Sequence, residues 1–188
     1  MLDVAIGLDD EDVLRERIRD LVTTGEFRDF HPDEPEPTLD EACGRLQEVI
    51  LLHDAAVTEV SDDLIALTTA IHGLGQEAGF VTSFAGFDAQ EAADDAHAGA
   101  LEMQRDGHTV RGYLWVHRQD LERVVLSGDL PVGFGAMSGQ DTNDTEVART
   151  AAEAFRTAGL TVEWDGSPSA RILVSPFAWS MPFHDPEE

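Results

Sequence analysis

The sequence predicts an α+β fold in which N-terminal helices pack on a small mixed sheet that ends in an antiparallel hairpin. Two patterns indicate this class. Apolar side chains recur with helical spacing up to about residue 78, and from residue 79 short apolar runs alternate with amphipathic stretches, much as in α/β proteins. The last two apolar runs, 160–164 and 171–174, flank the turn sequence Asp165-Gly166-Ser167-Pro168, which is typical of a hairpin.

Three amphipathic helices are expected in a helical N-terminal lobe over residues 1–78. Each begins at a residue whose side-chain oxygen can accept from the free N–H groups of the first turn. The predicted helices span residues 9–22, 38–53 and 61–79. Thr38 and Glu41 form the pattern of a capping box, and the acidic, proline-rich segment 31–37 before them cannot sustain a helix.

A sheet domain of α+β type is expected over residues 79–183, in one compact unit with the helical lobe. The predicted strands are 80–84, 109–117, 130–137 and the two strands of the hairpin, and the predicted helices are 88–106, 120–126 and 143–158. In the first of these helices the residues expected to pack inward are mostly small: Ala92, Ala96, Ala100 and Met103. Such small side chains permit a close approach to the sheet.

The C-terminal segment 177–183 is too apolar to remain in water. We expect it to dock on its own domain, or to form a homodimer with a second copy of the chain. Residues 184–188 are polar and terminal, so they are expected to be a disordered tail.

Acidic residues dominate the charge of the chain, with 38 Asp and Glu against 12 basic residues and a formal net charge of −26. Every basic residue is arginine. Such a field repels nucleic acids and anionic membranes, so neither is predicted as a partner. Three interpretations of the acidity stay open: a solvated surface from a salt-adapted or high-GC genome, a face that docks a basic protein, and mimicry of nucleic acid.

A soluble, cytoplasmic protein is predicted. The hydrophobic fraction of 42% is enough for a core, and no apolar run reaches the roughly 20 residues that a membrane-spanning helix needs. The N-terminal residues lack the basic start and long apolar run of a signal peptide. Cys43 is the only cysteine, which excludes an internal disulfide and favours the cytosol.

The candidate site lies at the turn between the strand 109–117 and the helix after it. One hypothesis makes His117 a general base that Asp120 orients, with Gln119 binding a substrate. The simpler interpretation is that Asp120 or Gln119 caps the helix while His117 bonds to the turn backbone. In the next strand Gly133 and Gly135 share one face, where the missing side chains would let a ligand approach closely.

We predict neither a metal site nor a cofactor. Asp94 and His97 lie three residues apart on a helix, where they could share an ion, but a solvated helix face explains them more simply. The segment 141–145 resembles a calcium loop only superficially, because Glu146 and Ala152 stand where glycine and a closing acid are needed. The sequence also contains no phosphate-binding glycine loop and no hydrolase nucleophile elbow.

Three segments carry a resemblance to a known family: Gly112 to Val125, Gly128 to Gly135, and Ala158 to Gly166 followed by Arg171-Ile172. They resemble the bacterial family catalogued as domain of unknown function 6891, most specifically over residues 109–174. Many members carry a cysteine cluster after the first strand, where this chain reads Thr82-Ser83-Phe84-Ala85-Gly86. The resemblance implies a shared fold unit without an assigned activity, and any metal that the cluster binds in relatives would lack its ligands here.

Two classes of function remain. The preferred one is a non-catalytic accessory or interaction domain whose acidic surface binds a basic protein. The alternative is a small enzyme or ligand-binding domain that uses His117 and Asp120 at the strand-to-helix turn.

Overall fold

The computed structural model describes residues 2–30, 32–138 and 141–184. Within these ranges the chain forms eight α-helices and a five-stranded mixed sheet, with helices first and helices alternating with strands later. The predicted α+β class is therefore confirmed. None of the helices in the described ranges is long and apolar enough to cross a membrane.

The first compact unit of the chain lies within Met1–Val60 and Ser180–Glu188. Its helices are α1 (Leu2–Ile6), α2 (Glu11–Thr24), α3 (Phe27–Phe30) and α4 (Leu39–Ala56). Asp10 caps α2 by accepting from the Val13 N–H at 2.9 Å, and the capping box of Thr38 and Glu41 begins α4 as predicted. The short helices α1 and α3 were not predicted from the sequence, since neither is long enough to show a helical repeat.

The core of this unit joins α1, α2 and α4 to the C-terminal segment. Its buried members are Val4, Leu14, Leu46 and Ile50, with Ile18, Val49 and Phe183 packed against them. The backbone N–H of Phe183 also donates to Asp54 Oδ1 at 2.7 Å. The end of the apolar tail thus docks on its own chain, which was one of the two predicted alternatives.

The second compact unit spans Ser61–Trp179 and contains the sheet. Its helices are α5 (Asp62–Gly73), α6 (Ala89–Arg105), α7 (Arg118–Ser127) and α8 (Asp141–Thr157), and a π-helical turn, Leu74–Ala78, follows α5. Its strands are β1 (Phe80–Ser83), β2 (Gly112–Trp115), β3 (Leu130–Ala136), β4 (Val162–Glu163) and β5 (Ile172–Val174). The predicted boundary between a helical lobe, residues 1–78, and a sheet domain, residues 79–183, stays a prediction. Residues 185–188 of the predicted disordered tail lie outside the described residues.

The strands of the sheet are ordered β1-β2-β3-β5-β4. β1 and β2 are parallel neighbours joined by α6, and the other three pairs are antiparallel, including the predicted hairpin of β4 and β5. β3 therefore lies at the centre, with β2 and β5 on its two sides. Across β2 and β3, Trp115 lies opposite Gly133 and Tyr113 opposite Gly135. The predicted strand 109–117, helix 120–126 and strand 130–137 are present as β2, α7 and β3.

The two faces of the sheet are covered by different helices. On one face α6 buries the predicted stripe of Ala92, Ala96 and Ala100, whereas Met103, which was expected in that stripe, is 39% exposed. On the other face Val147 of α8 lies so close to Gly112 that a Cβ there would be 2.6 Å from its methyl group. α8 begins at Asp141, two residues before the predicted start at Asn143, and the Asn143 amide donates to Ser138 Oγ at 2.6 Å.

Candidate functional site

The turn between β2 and α7 places His117 at the cap position of the helix. Its backbone is extended, with φ −92° and ψ 167°, and its carbonyl accepts from the N–H groups of Asp120 at 2.9 Å and Leu121 at 3.2 Å. No side chain caps this helix end. The interpretation that Asp120 or Gln119 caps α7 is therefore corrected: Asp120 lies inside the first turn, and Gln119 is exposed.

Asp120 is fully buried and is held by three other side chains. Its Oδ2 accepts from Arg171 NH1 at 2.5 Å and lies 3.1 Å from His117 Nε2, while its Oδ1 is 3.5 Å from Arg123 NH1. A carboxylate without solvent is stable in a fold only when it is paired and hydrogen-bonded. The two arginines meet that requirement. We call Asp120, His117, Arg123 and Arg171 the Asp120 cluster.

His117 is only 5% exposed, and its Nδ1 is buried without a hydrogen-bond partner among the described residues. Burial lowers the pKa of its imidazole; the charge of Asp120 opposes that shift, and those of Arg171 and Arg123 add to it. The ring is therefore neutral at pH 7. Its single N–H belongs on Nε2, facing the carboxylate, so Nδ1 is left as an unprotonated acceptor.

Aromatic rings fill the face on which the two strand glycines lie. A Cβ at Gly133 would be 1.9 Å from the Trp115 ring, and one at Gly135 would be 2.4 Å from the Tyr113 ring. The Trp115 ring stacks on His117, with centroids 6.1 Å apart, and the Arg171 guanidinium lies 5.3 Å from its centroid. The glycines thus make room for both rings, of which Trp115 contacts the Asp120 cluster. The predicted role of the glycines in ligand binding stays a prediction.

The structure brings His117 and Asp120 together as the sequence predicted, but it adds two residues that sequence reasoning missed. Arg171 lies 51 positions after Asp120 and comes from the approach to β5, so only the tertiary fold reveals the pair. A signal existed, because Arg171 belongs to the segments that carry the family resemblance. Gln119 does not join the cluster through any hydrogen bond within the described ranges.

The Asp120 cluster connects two separate elements of the fold. Asp120 links the first turn of α7 to the start of β5, and the stack of His117, Trp115 and Arg171 covers that link. General-base catalysis needs a histidine nitrogen within hydrogen-bond reach of a substrate. Here one ring nitrogen faces Asp120 and the other has no exposed surface.

The second candidate surface is the outer face of α6. Glu91, Asp94, Asp95 and Glu102 are all exposed and fall within roughly 100° of the helix circumference. They lie opposite the buried alanine stripe. Among the residues that the structure describes, no ion pair neutralises any of these four carboxylates, which we call the acidic face of α6.

Metal-ligand geometry is absent from the described ranges. No three His, Cys, Asp or Glu side chains within 2–30, 32–138 and 141–184 are placed to hold an ion. His97 lies against Tyr113 instead, with ring centroids 5.4 Å apart, while Asp94 accepts from the Gln90 amide at 3.0 Å.

Fold and site together define an α+β protein with a buried aspartate–arginine cluster at its central strand-to-helix turn and an acidic outer helix. The chain belongs to the DUF6891 family, a domain of unknown function, and the match covers residues 1–182. The predicted family is confirmed, and the match extends beyond the segment 109–174 where the resemblance was most specific. No curated protein matches the chain significantly. No solved structure does so either.

Proposed function

We propose that this DUF6891 protein is a non-catalytic interaction domain that binds a basic protein through the acidic face of α6. One observation carries the proposal: four exposed carboxylates share one face of a helix whose opposite face is buried, and no described cation pairs with them. Two acids near the start of α2 are paired instead, because Arg15 bonds to Glu11 and Arg17 lies 3.0 Å from Asp9.

Such a face is unfavourable in the free protein. Like charges three or four residues apart on a helix destabilise it by about 0.2–0.5 kcal/mol per pair, and Glu91 and Asp95 are four apart. A partner that presents arginines or lysines relieves this repulsion, and complementary charges also accelerate encounter. The favourable electrostatic energy of this binding falls with added salt, since exposed charges are screened over about 8 Å at physiological ionic strength.

The cytoplasm is the proposed site of this interaction. The single cysteine, Cys43, is free in the structure, which is consistent with a reducing compartment. A homodimer through residues 177–183 stays a prediction. Phe177 is 3% exposed in the chain, so little of its ring is left for a second copy.

The test compares two variants that remove the same number of charges. The first is Glu91→Gln, Asp94→Asn, Asp95→Asn and Glu102→Gln, which keeps an acceptor oxygen at every position. The matched control neutralises four exposed acids of α2 and α4: Asp12→Asn, Glu16→Gln, Asp20→Asn and Glu48→Gln. Each protein is immobilised, incubated with lysate of the source organism at about 50 mM and 300 mM salt, and the bound proteins are identified by mass spectrometry.

We expect a basic protein to be retained by the wild type and by the control, lost from the α6 variant, and released at the higher salt. Equal capture by the α6 variant and the wild type would refute the proposal. So would capture that is indifferent to salt.

The alternative function, catalysis or ligand binding by His117 and Asp120, has weaker support. Its one favourable observation is the unpartnered Nδ1 of His117. Against it, the carboxylate of Asp120 is already shared by two arginines. A His117→Ala variant that melts earlier but still binds the partner supports the structural role; one that melts normally and loses a measured activity supports the alternative.

A further inference from the structure

Two adjoining cavities lie at the end of the sheet where β1 and β2 begin. Their volumes are about 310 Å³ and 480 Å³, within the range of small-molecule sites. Ala78, Phe80 and Arg111 line both of them. We propose that this place is a binding site for a small carboxylic acid with an apolar body, and that Arg111 binds its carboxylate.

The backbone around Arg111 is held rigidly. Its N–H donates to the Gly79 carbonyl at 2.8 Å, and its own carbonyl accepts from the Met137 N–H at 3.2 Å. Gly79 has a φ of 68°, and a Cβ there would be 2.5 Å from the Thr109 carbonyl oxygen, so no larger residue fits. These backbone contacts fix the Cα of Arg111 beside both cavities, while its side chain stays largely exposed.

The π-helical turn Leu74–Ala78 forms the wall beside Arg111. Ala78 at its end lines both cavities, and Gly75, Gln76 and Glu77 line the larger one. π-Helical turns are rare and frequently occur at functional sites, because the wider turn displaces the backbone from regular packing. Here the turn ends at Gly79, the residue whose carbonyl holds Arg111.

The residues that line the smaller cavity suit a ligand with one carboxylate and an apolar remainder. Phe80, Met137 and Val147 provide apolar surface, and Ser138 and Thr150 provide hydroxyl groups. The side chain of Arg111 is 63% exposed, and its guanidinium can donate two parallel hydrogen bonds to a carboxylate.

Glu146 is the competing group in this cavity. Its Oε1 is 3.9 Å from Arg111 NH2, beyond hydrogen-bond distance, and its side chain is 62% exposed. This loose pair costs little to separate because both groups remain in water. A ligand carboxylate can therefore replace Glu146 at the guanidinium, and removing the charge of Glu146 should strengthen binding.

The experiment uses 4-phenylbutyrate and its neutral amide, 4-phenylbutanamide, as probes for the full-length chain. Binding is followed by isothermal titration calorimetry and by ¹H–¹⁵N chemical-shift changes. For a probe of this size we expect a Kd of about 0.1–1 mM for the carboxylate. The amide should bind at least about tenfold more weakly, because it lacks the charge that the guanidinium recognises.

Three variants locate the contact. Arg111→Gln should weaken 4-phenylbutyrate binding about tenfold without changing the weak binding of the amide, and Glu146→Gln should tighten it about two- to fivefold. Arg105→Gln, at an exposed arginine of α6, is the control and should leave the Kd unchanged.

Several outcomes would overturn the proposal. The first is equal binding of acid and amide, and the second is equal binding by the wild type and Arg111→Gln. The third is no binding of either probe at 10 mM, which is roughly ten times the weakest Kd expected for the carboxylate. Because the amide comparison uses the wild type alone, the test holds even if a variant folds poorly.

Discussion

Replacing Asp120 with asparagine should destabilise the protein more than any surface substitution. Asparagine has nearly the same shape but carries no charge, and its NH2 group would face either Arg123 or the donors of Arg171 and His117. Removing one partner of a buried ion pair typically costs about 3–5 kcal/mol, because the remaining charge loses its counterion without regaining water.

The expected loss for this cluster is smaller than that range. The side chains of Arg171 and Arg123 are 30% and 49% exposed, so water can partly solvate them once the carboxylate is gone. We therefore expect Asp120→Asn to lower the free energy of unfolding by about 2–3 kcal/mol. For a chain of this length that corresponds to a fall in Tm of about 5–10 °C.

Thermal unfolding followed by circular dichroism provides the measurement, with Asp95→Asn as the control. Asp95 is exposed on α6, and its neutralisation should change the free energy of unfolding by less than about 0.5 kcal/mol. A double-mutant cycle of Asp120→Asn with Arg171→Gln should show positive coupling, since the two residues share one hydrogen bond. A variant that melts within 1 °C of the wild type would refute the structural reasoning and favour a chemical role for Asp120 instead.

Three further predictions concern other parts of the chain. Gly133→Ala should destabilise the protein by about 1–3 kcal/mol and change its tryptophan fluorescence, because the new Cβ would overlap the Trp115 ring. The control is Gly44→Ala in α4, where an added Cβ would meet no atom within 4 Å beyond its own helix backbone and chain neighbours, and it should stabilise the protein by about 0.5–1 kcal/mol. The hydrogen bond to Asp54 raises the pKa of His184 above its unfolded-state value of about 6.5. The contribution of this contact to the stability of the fold is therefore fully present below about pH 6.5 and is lost as pH rises through the folded-state pKa. The Tm difference between the wild type and His184→Gln should accordingly be larger at pH 5.5 than at pH 8.5, and a difference that grows with pH would contradict this assignment. Ser61→Ala removes the cap of α5 and a hydrogen bond to the Ala178 carbonyl, so chemical denaturation should show a loss of about 1 kcal/mol, whereas an unchanged midpoint would show that neither bond contributes.

The sequence predicts well the features that local chemistry controls. The capping box of Thr38 and Glu41 needs only residues three positions apart, and it is present in the structure. Gly25, which follows the predicted helix 9–22 and ends α2, adopts the left-handed conformation with φ 78° that few other residues tolerate. Alternation along β3 also predicted that Gly133 and Gly135 share a face, because successive strand residues point to opposite sides.

The sequence could not predict what covers that glycine face. The register of β2 against β3 puts Trp115 and Tyr113 over the two glycines, and register depends on the packing of the whole sheet. The glycines therefore suggested an open approach for a ligand, whereas rings from the neighbouring strand fill the space.

By itself the sequence determined the α+β class, the family, most of the helices and strands, and the presence of His117 and Asp120 at one turn. The tertiary structure alone decided that Arg171, the residue before β5, reaches Asp120 and that His117 is buried against Trp115. The physical reason is the range of the interactions. Caps, turns and periodic burial act within a few residues of the chain, but a carboxylate acquires its buried partners only when distant strands pair and exclude water.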